Sequence, residues 1–338
     1  MNINQAIKAV ISKKDLNEGE MLDVMNSIMT GQTTDAQIGA FLIGLSMKGE
    51  TIEEITASAK VMRSLATSVE LSSTEYLVDT CGTGGDGLGL FNISTASAFV
   101  VAAAGGKVAK HGNRSISSKS GSADVLEAAG INLNLSPEVI SECIEKIGVG
   151  FMFAPAHHSA MKHAIGPRKE LAVRTIFNVL GPLTNPAKAP NQVIGVYDRN
   201  LVEPIANVLK SLKSRHVMVV HSADGLDEFS VADKTFVAEL YNDEVSTYSV
   251  HPDDFGLKLG NLNDIKAENA DESLSLIYEA FSGHNGTAKN IIALNAGAAI
   301  YVSGLEDTLS SGIEKASKVL SDGSAKEKLE EYIFASNN

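Results

Sequence analysis

Apolar residues recur every three or four positions through the first 70 residues of the chain. That spacing places the apolar side chains on one face of a helix. It predicts helices over residues 3–12, 17–29, 34–47 and 51–66. The last helix begins with Thr51 and Glu54 at the spacing of a capping box, in which each side chain bonds the backbone N–H of the other residue. Residues 1–70 are therefore predicted to form a helical bundle domain, with one apolar stripe of the bundle as the face of a homodimer.

From residue 76 the pattern changes to short apolar segments that alternate with helical ones. The predicted strands cover residues 76–79, 107–110, 150–153, 192–196 and 216–221, with an added antiparallel pair at 235–241 and 244–250. This alternation is typical of a parallel sheet with helices on both faces. The predicted fold class is α/β, with a small all-helical N-terminal domain and a large α/β domain over residues 71–338 whose central sheet is mostly parallel. Helices near residues 160–185 are expected to join the first domain.

Five glycines fall within residues 82–90, between a predicted strand and a predicted helix. Glycine lets the main chain approach a ligand and adopts positive φ, so consecutive N–H groups can converge on phosphate oxygens. Asn92, Ser94 and Thr95 then supply cap-type side chains at a helix N-terminus, which also favours an anion. Asp86 would repel a bare phosphate, which indicates a sugar hydroxyl or a metal as its partner. The segment predicts an anion site, and a plain strand-to-helix turn is the alternative.

Composition and charge restrict the class of protein. The chain has 338 residues with 44% hydrophobic and 20% charged residues, as in a globular protein large enough for two domains. Since no apolar run reaches membrane-spanning length and the N-terminus lacks a signal-peptide pattern, we expect a cytoplasmic protein with no membrane partner. The net charge of −13 argues against a nucleic-acid surface. Cys81 and Cys143 are too few for a disulfide framework or metal cluster.

Basic residues nevertheless concentrate in two segments, 107–119 and 157–174. Basic segments in an acidic chain indicate small anionic ligands in a pocket. The first segment also contains or precedes five serines, whose hydroxyls suit an anion with many oxygens. Ser122 is in addition predicted as the N-cap of the next helix.

Histidines mark the second basic segment. His158 and Lys162 are predicted to share one helical face, whereas His158 and His163 are not. Without a cysteine or carboxylate to complete a ligand set, zinc is disfavoured, and a structural or a substrate-orienting role for the histidines is favoured.

Asp227 and Glu228 follow the predicted strand 216–221. Ligands of open α/β sheets bind at the carboxyl ends of strands, and adjacent carboxylates suit Mg²⁺. An isolated acidic pair is usually solvent-exposed without a specific role. The interpretation of this pair as a metal site therefore depends on its position after the strand.

Four separated motifs occur in order along the chain: GTGGDG at 82–87 with NIST at 92–95, KHGNRSISS at 110–118, RTIFNVLGPLTNP at 174–186 and GLDE at 225–228. Together they closely resemble the anthranilate phosphoribosyltransferase family over essentially the whole chain. The resemblance implies Mg²⁺-dependent transfer of the phosphoribosyl group of 5-phosphoribosyl 1-diphosphate (PRPP) to the amine of anthranilate. The products would be N-(5-phosphoribosyl)anthranilate and diphosphate, in the second step of tryptophan synthesis from chorismate.

The resemblance also implies roles for individual residues. Anthranilate would contact Gly82, Asn113 and Arg168, and Mg²⁺ would be held by Ser94, Asp227 and Glu228. His111 and His158 would orient substrates, and no residue would act as an obligatory acid or base. The implied PRPP contacts are Gly82, Gly85, Asp86, Leu90, Asn92, Ile93, Ser94, Thr95, Lys110, His111, Gly112, Asn113, Arg114, Ser115, Ile116, Ser117, Ser118 and Ser122.

Two positions depart from the family pattern, and two rival functions stay open. Leu90 stands where a hydroxyl residue is common, and Ser159 where proline is common. A pyrimidine nucleoside phosphorylase has a similar architecture, but its reaction does not require the acidic metal pair. A non-catalytic nucleic-acid-binding relative would need an extended basic surface. Hinge closure between the two domains is also expected, because it would exclude water from the reaction.

Overall fold

The computed structural model describes residues 1–115 and 119–338. The implied PRPP contacts Ile116, Ser117 and Ser118 lie outside the described residues. The N-terminal region folds as α1 (Ile3–Ile11), α2 (Glu18–Met29), α3 (Asp35–Lys48) and α4 (Ile52–Leu65).

Each of these four helices begins with a polar N-cap whose side chain accepts a hydrogen bond from the N3 backbone. The capping box predicted for α4 is present, with Glu54 N 3.2 Å from Thr51 Oγ1 and Thr51 N 2.8 Å from Glu54 Oε2. Glu54 is also fully buried, and its Oε2 forms a salt bridge of 2.8 Å with Lys48 Nζ. The cap is therefore part of a buried ionic contact that ties α3 to α4.

The central sheet consists of β1 (Leu77–Asp79), β2 (Lys107–Gly112), β3 (Val149–Phe153), β4 (Asn191–Gly195), β5 (His216–Ser222), β6 (Thr235–Tyr241) and β7 (Glu244–Val250). Their order is β3-β2-β1-β4-β5-β6-β7, with β1 to β5 parallel and the last two strands antiparallel. Asn242 and Asp243 both have positive φ, as a tight β6–β7 turn requires. The predicted fold class is confirmed. The strand order reverses between β1 and β4, so their carboxyl ends flank a topological switch point.

Helices pack on both faces of the sheet. In β5, Met218 and Val220 belong to one hydrophobic cluster, whereas Val217 and Val219 belong to another on the opposite face. Successive strand residues point to opposite faces, so burial of all four requires two covering layers. The remaining helices are α5 (Ile93–Ala103), α6 (Ser122–Ala128), α7 (Pro137–Lys146), α8 (Ala154–His157), α9 (Lys162–Leu171), α10 (Phe177–Leu180), α11 (Val202–Ser211), α12 (Ala270–Phe281), α13 (Thr287–Ser303), α14 (Leu309–Asp322) and α15 (Ser324–Asn337).

The N-terminal bundle shares a hydrophobic cluster with one face of the sheet. That cluster joins Phe41 and Ile55 of the bundle to Ile176 and Phe177 near α10 and to Ile205 of α11. The boundary at residue 70, the joining helices and the homodimer face stay predictions. Within the described residues, no helix combines the length and the apolar character needed to cross a membrane.

Candidate active site at the sheet switch point

The glycine segment crosses the switch point directly after β1. Gly84 and Gly85 have φ of +65° and +82°, which residues with a side chain rarely adopt. Thr83 N donates to the Gly195 carbonyl at 2.8 Å, and Gly84 N donates to Asp227 Oδ2 at 2.8 Å. The segment is thus tied to the ends of both β4 and the loop that follows β5.

The next helix begins at Ile93. Asn92 is its N-cap residue, yet its side chain makes no capping bond and instead accepts from Ser273 Oγ at 2.7 Å and Ser120 Oγ at 3.1 Å. The prediction that the side chains of Asn92, Ser94 and Thr95 cap this helix was therefore wrong. The side chain of Asn92 bonds Ser273 of α12 and Ser120 instead, and Ser94 and Thr95 lie within α5. The N-terminal amides of α5 have no side-chain cap and suit an anion.

The side chains that follow Asn92 differ in their access to a ligand. Ile93 and Thr95 are buried, at 3% and 1% exposure. A ligand at this position would therefore meet their main chain rather than their side chains. Leu90 forms an isolated antiparallel β-bridge with Lys266, and the neighbouring Phe91 N donates to Ile265 O. These backbone contacts hold Leu90 in place.

Lys110 places a buried positive charge beneath this segment. Its side chain is only 3% exposed and donates to the Thr80 carbonyl at 2.7 Å and to Ser94 Oγ at 3.3 Å. Among the described residues, no carboxylate lies within ion-pair distance of its Nζ. A buried cation without a direct ion-pair partner among the described residues therefore stands beside the first turn of α5, and its charge partly offsets the burial that raises the pKa values of Asp79 and Glu228.

Three carboxylates converge close to this segment. Burial raises the pKa of Asp227 and of Glu228, and the negative charges of neighbouring acids raise each pKa further. Burial also raises the pKa of Asp86, which lies within hydrogen-bonding reach of Asp227. Ser94 hydrogen-bonds Glu228 and lowers its pKa slightly. A bound cation would stabilise the charged forms of these closely spaced carboxylates.

The donor set fits Mg²⁺ rather than a transition metal. Within residues 1–115 and 119–338, no His, Cys, Asp and Glu side chains are preassembled into a three-ligand cage. Mg²⁺ does not need such a cage, because it usually takes one or two carboxylates together with water and substrate phosphates. The oxygen donors of Ser94, Asp227 and Glu228 meet this requirement.

A buried polar network orders the end of β2, and sequence reasoning did not assign it to the site. Asp79 is fully buried, accepts from His111 N at 3.2 Å and from Asn185 Nδ2 at 2.7 Å, and burial raises its pKa to about 6. Asn185 Nδ2 also donates to Ala109 O at 2.8 Å. The network therefore fixes the backbone on both sides of Lys110. Its one sequence signal was that Asn185 lies inside the motif at 174–186.

The two predicted orienting histidines do lie together. The ring centroids of His111 and His158 are 5.1 Å apart, and both residues are buried. Burial, followed by the neighbouring histidines, lowers the pKa of His111 to about 3 and that of His158 to about 4. Among the described groups, none completes a well-formed hydrogen bond with either ring nitrogen of His111, although the Gly181 backbone offsets a little of the lowering of its pKa. Both rings are neutral at physiological pH and retain capacity to bond a ligand.

The predicted helical face shared by His158 and Lys162 was wrong. α8 ends at His157, whose Nδ1 lies 2.8 Å from Thr67 O, and His158 has φ −116° and ψ 57° outside any helix. A 3₁₀ turn, Ser159–Met161, then separates His158 from α9. The interruption turns His158 toward His111 instead of along α9.

Directly after β2, Arg114 and Ser115 are bound to α6. The guanidinium of Arg114 bonds Glu127 at 2.7 and 3.0 Å and Asp124 at 3.2 Å. Asp124 also accepts from Ser115 N and Gly121 N. Gly121 rather than Ser122 is the N-cap of α6, so the cap prediction for Ser122 was wrong, because Asp124 satisfies the orphan backbone donor.

Other side chains of this loop are less committed. Ser122 Oγ instead donates to the Asn113 carbonyl at 3.3 Å, and the side chain of Asn113 is exposed. Gly112 leaves room for Ser122, because a Cβ there would lie 2.2 Å from its Oγ.

Arg168 lies in the C-terminal half of α9, and Arg174 follows that helix. Arg168 is half-buried, its guanidinium lies 5.2 Å from the centre of the Phe177 ring, and burial lowers its pKa. Neither Arg168 nor Arg174 forms an ion pair with a described carboxylate. Arg168 is therefore a partly desolvated cation without a counter-charge in the described part of the chain.

Comparisons with known proteins agree over nearly the whole length. Residues 4–66 match the helical bundle domain of a glycosyl transferase family, and residues 74–326 match its a/b domain. The anthranilate phosphoribosyltransferase of Ruthia magnifica subsp. Calyptogena magnifica is 69% identical over 338 residues, covering 100% of both chains. The chain belongs to the anthranilate phosphoribosyltransferase family. It is a transferase, as the motifs predicted.

Solved members of the anthranilate phosphoribosyltransferase family have the same fold. The enzyme from Thermus thermophilus is 40% identical, with a TM-score of 0.93 over 98% of this chain and 99% of that chain. The enzyme from Saccharomyces cerevisiae, solved in complex with PRPP and Mg, is 26% identical, with a TM-score of 0.90 over 99% of this chain and 98% of that chain. It has also been solved with 4-fluoroanthranilate, at 25% identity and a TM-score of 0.88 over 99% and 98%. The individual ligand contacts of the present chain stay predictions.

Proposed function

We propose that the switch point of this chain binds PRPP with Mg²⁺ and transfers its phosphoribosyl group to the amine of anthranilate. The observation that carries the proposal is the arrangement around the glycine segment. The uncapped start of α5 and the buried Lys110 offer positive charge, and Asp227 and Glu228 offer carboxylates. A sugar diphosphate bound to a divalent cation requires both kinds of group at one place. The yeast relative solved with PRPP and Mg supports the same choice of ligands.

The residues of the site favour a displacement without general-base catalysis. The amine of anthranilate is neutral and carries a lone pair, so it attacks C1 of the ribose without first losing a proton to a base. His111 and His158 are held neutral, and we infer that they orient the substrates by hydrogen bonds. The α5 amides and Lys110 stabilise the negative charge that develops on the departing diphosphate. Positioning of the two substrates contributes the rest of the rate acceleration, since well-oriented groups reach effective molarities of ~10⁵ to 10⁸ M.

Ser94, Asp227 and Glu228 would hold the metal ion in this arrangement. When bound, Mg²⁺ supplies charge neutralisation on the phosphate oxygens. Burial and mutual repulsion raise the pKa values of Asp227 and Glu228, and a cation would relieve that repulsion.

Fluorescence-monitored conversion of anthranilate in the presence of PRPP and Mg²⁺ tests the function. We expect conversion that depends on all three components. Phosphate-dependent release of base from thymidine or uridine, without conversion of anthranilate, would instead identify a phosphorylase. DNA binding that weakens steeply with salt, again without conversion, would identify a nucleic-acid-binding relative.

Replacing Arg168 by lysine is expected to raise the KM for anthranilate about tenfold, and replacing it by alanine about 100-fold, since a hydrogen bond to a charged group contributes roughly 1.5 to 3 kcal/mol. The planar guanidinium bonds both oxygens of a carboxylate, whereas the ammonium of lysine is a point charge. Steady-state kinetics at saturating PRPP measure the effect. The neighbouring exposed Lys169 provides the control, because K169A removes a charge from the same helix. Equal effects of K169A and R168A would contradict the assignment.

A further inference from the structure

Arg174 contacts the glycine segment from outside the sheet. Its guanidinium carbon lies 3.9 Å from the centroid of the Tyr197 ring, and its Nη2 donates to the Gly85 carbonyl. The segment that carries it begins at Ala172, whose left-handed conformation ends α9. Arg174 itself is exposed and has no described ion-pair partner. The contact therefore joins two stretches of chain that are 89 positions apart.

Before Gly85, the anchors of the segment come from the sheet side. Thr83 Oγ1 accepts from Tyr197 N at 3.1 Å, and Gly84 N donates to Asp227. These bonds hold the residues before Gly85 and leave the carbonyl of Gly85 itself unfixed. Gly85 has positive φ, and its backbone is freer than that of any residue with a side chain. The Asp86 carboxylate accepts from Leu88 N at 3.1 Å and holds the residue that follows. Among the described groups, Arg174 is the one that bonds the Gly85 carbonyl itself.

Fixing the carbonyl also fixes the next amide. The peptide unit is planar and trans, so the C=O of Gly85 and the N–H of Asp86 point in opposite directions. With the carbonyl turned to Arg174, the N–H of Asp86 points away from Arg174. If the peptide rotated, the carbonyl oxygen would take the place of that donor, and a phosphate would meet a partial negative charge.

We propose that Arg174 is a positioning residue for PRPP binding, which holds the Gly85–Asp86 peptide in the orientation that offers its N–H to the anion. The proposal rests on the proposed function for the identity of the anion. The guanidinium acts through the main chain, and the Tyr197 ring holds it flat by a cation–π contact. The apparent affinity for a ligand falls in proportion to the fraction of protein in the competent conformation. If the competent orientation fell to about a tenth of molecules, the KM for PRPP would rise about tenfold.

The test compares R174A with a matched control, R199A. Arg199 also stacks on an aromatic ring, with its guanidinium carbon 3.7 Å from the centroid of Phe236, but makes no described contact with the glycine segment. We expect R174A to raise the KM for PRPP about tenfold, with kcat and the KM for anthranilate within about twofold of the parent. R199A should change none of them. An increase in the KM for PRPP that is equal in both variants would overturn the proposal.

Two further measurements separate positioning from other roles. Amide hydrogen exchange of residues 82–90, measured without ligands, should be faster in R174A than in the parent or R199A. This readout does not need activity, so it distinguishes failure of this proposal from failure of the proposed function. High salt screens long-range attraction, so a KM difference that vanished in about 1 M salt would assign Arg174 a purely electrostatic role. Y197L, which removes the supporting ring and keeps the charge, should shift exchange and the KM in the same direction as R174A.

Discussion

Replacing Asp227 and Glu228 together by alanine is expected to lower turnover by about 10³-fold and to raise the Mg²⁺ concentration required for half-maximal activity, because several kcal/mol of charge stabilisation on the leaving group depend on the metal. The folded protein should be about as stable as the parent, because relief of the repulsion between the acids offsets the lost hydrogen bond from Gly84 N. Both carboxyls have raised pKa values because burial and neighbouring acids disfavour their charge. Removing them relieves that repulsion. Loss of activity without loss of stability is the signature of residues kept for function rather than for folding.

Steady-state rates across a Mg²⁺ titration, together with thermal unfolding, measure both halves of this prediction. The exposed pair Asp253 and Asp254 offers a control that removes the same charge from a 3₁₀ turn outside the site. Unchanged Mg²⁺ dependence in the Asp227 and Glu228 double variant would refute their assignment. A marked drop in its melting temperature would show that the pair supports the fold instead.

Local signals made most of the fold predictable. A helix N-cap or a capping box involves residues three positions apart, and each of the four bundle helices begins within one residue of its predicted start. β3 and β5 were equally readable, because a strand buried on both faces is a continuous apolar run. The glycine segment was also recognisable from the sequence, because positive φ and close approach of the main chain to a ligand are properties of single glycine residues.

The polar network around the site could not be predicted in the same way. Asp79 and Asn185 are 106 positions apart, and only the packing of β1 against the loop before β4 brings them into contact. Nothing near Asp79 in the sequence indicates that its carboxylate fixes the backbone of His111. Local rules also misplaced the cap of α6, because a glycine N-cap with an aspartate three residues later competes with the adjacent serine. Long-range partners decided these positions, and one sequence does not reveal them.

Gly195 packs closely against the acidic loop, which carries Asp227 and Glu228. A Cβ on Gly195 would lie 1.4 Å from the backbone oxygen of Asp227, and a Cβ on Gly82 would lie 3.1 Å from the carboxylate oxygen Oδ2 of Asp227. The Gly195 carbonyl also accepts the bond from Thr83 N. The backbones of the glycine segment, β4 and the acidic loop therefore touch at one point, and none of them has a flexible side chain there that could move aside.

Substituting Gly195 by alanine is expected to destabilise the protein by about 1–3 kcal/mol, as overpacking of a tight site does. It should also lower activity at least 100-fold, because a displacement of about 1 Å in a catalytic group can cost that much. Urea unfolding and the anthranilate conversion assay measure the two effects. Gly19, exposed in the first turn of α2 and with only ordinary contact at 3.5 Å, provides the control, and G19A should leave both stability and activity near those of the parent. Full activity in G195A would mean that the acidic loop moves without consequence, and the assignment of this contact as the support of the metal site would then be wrong.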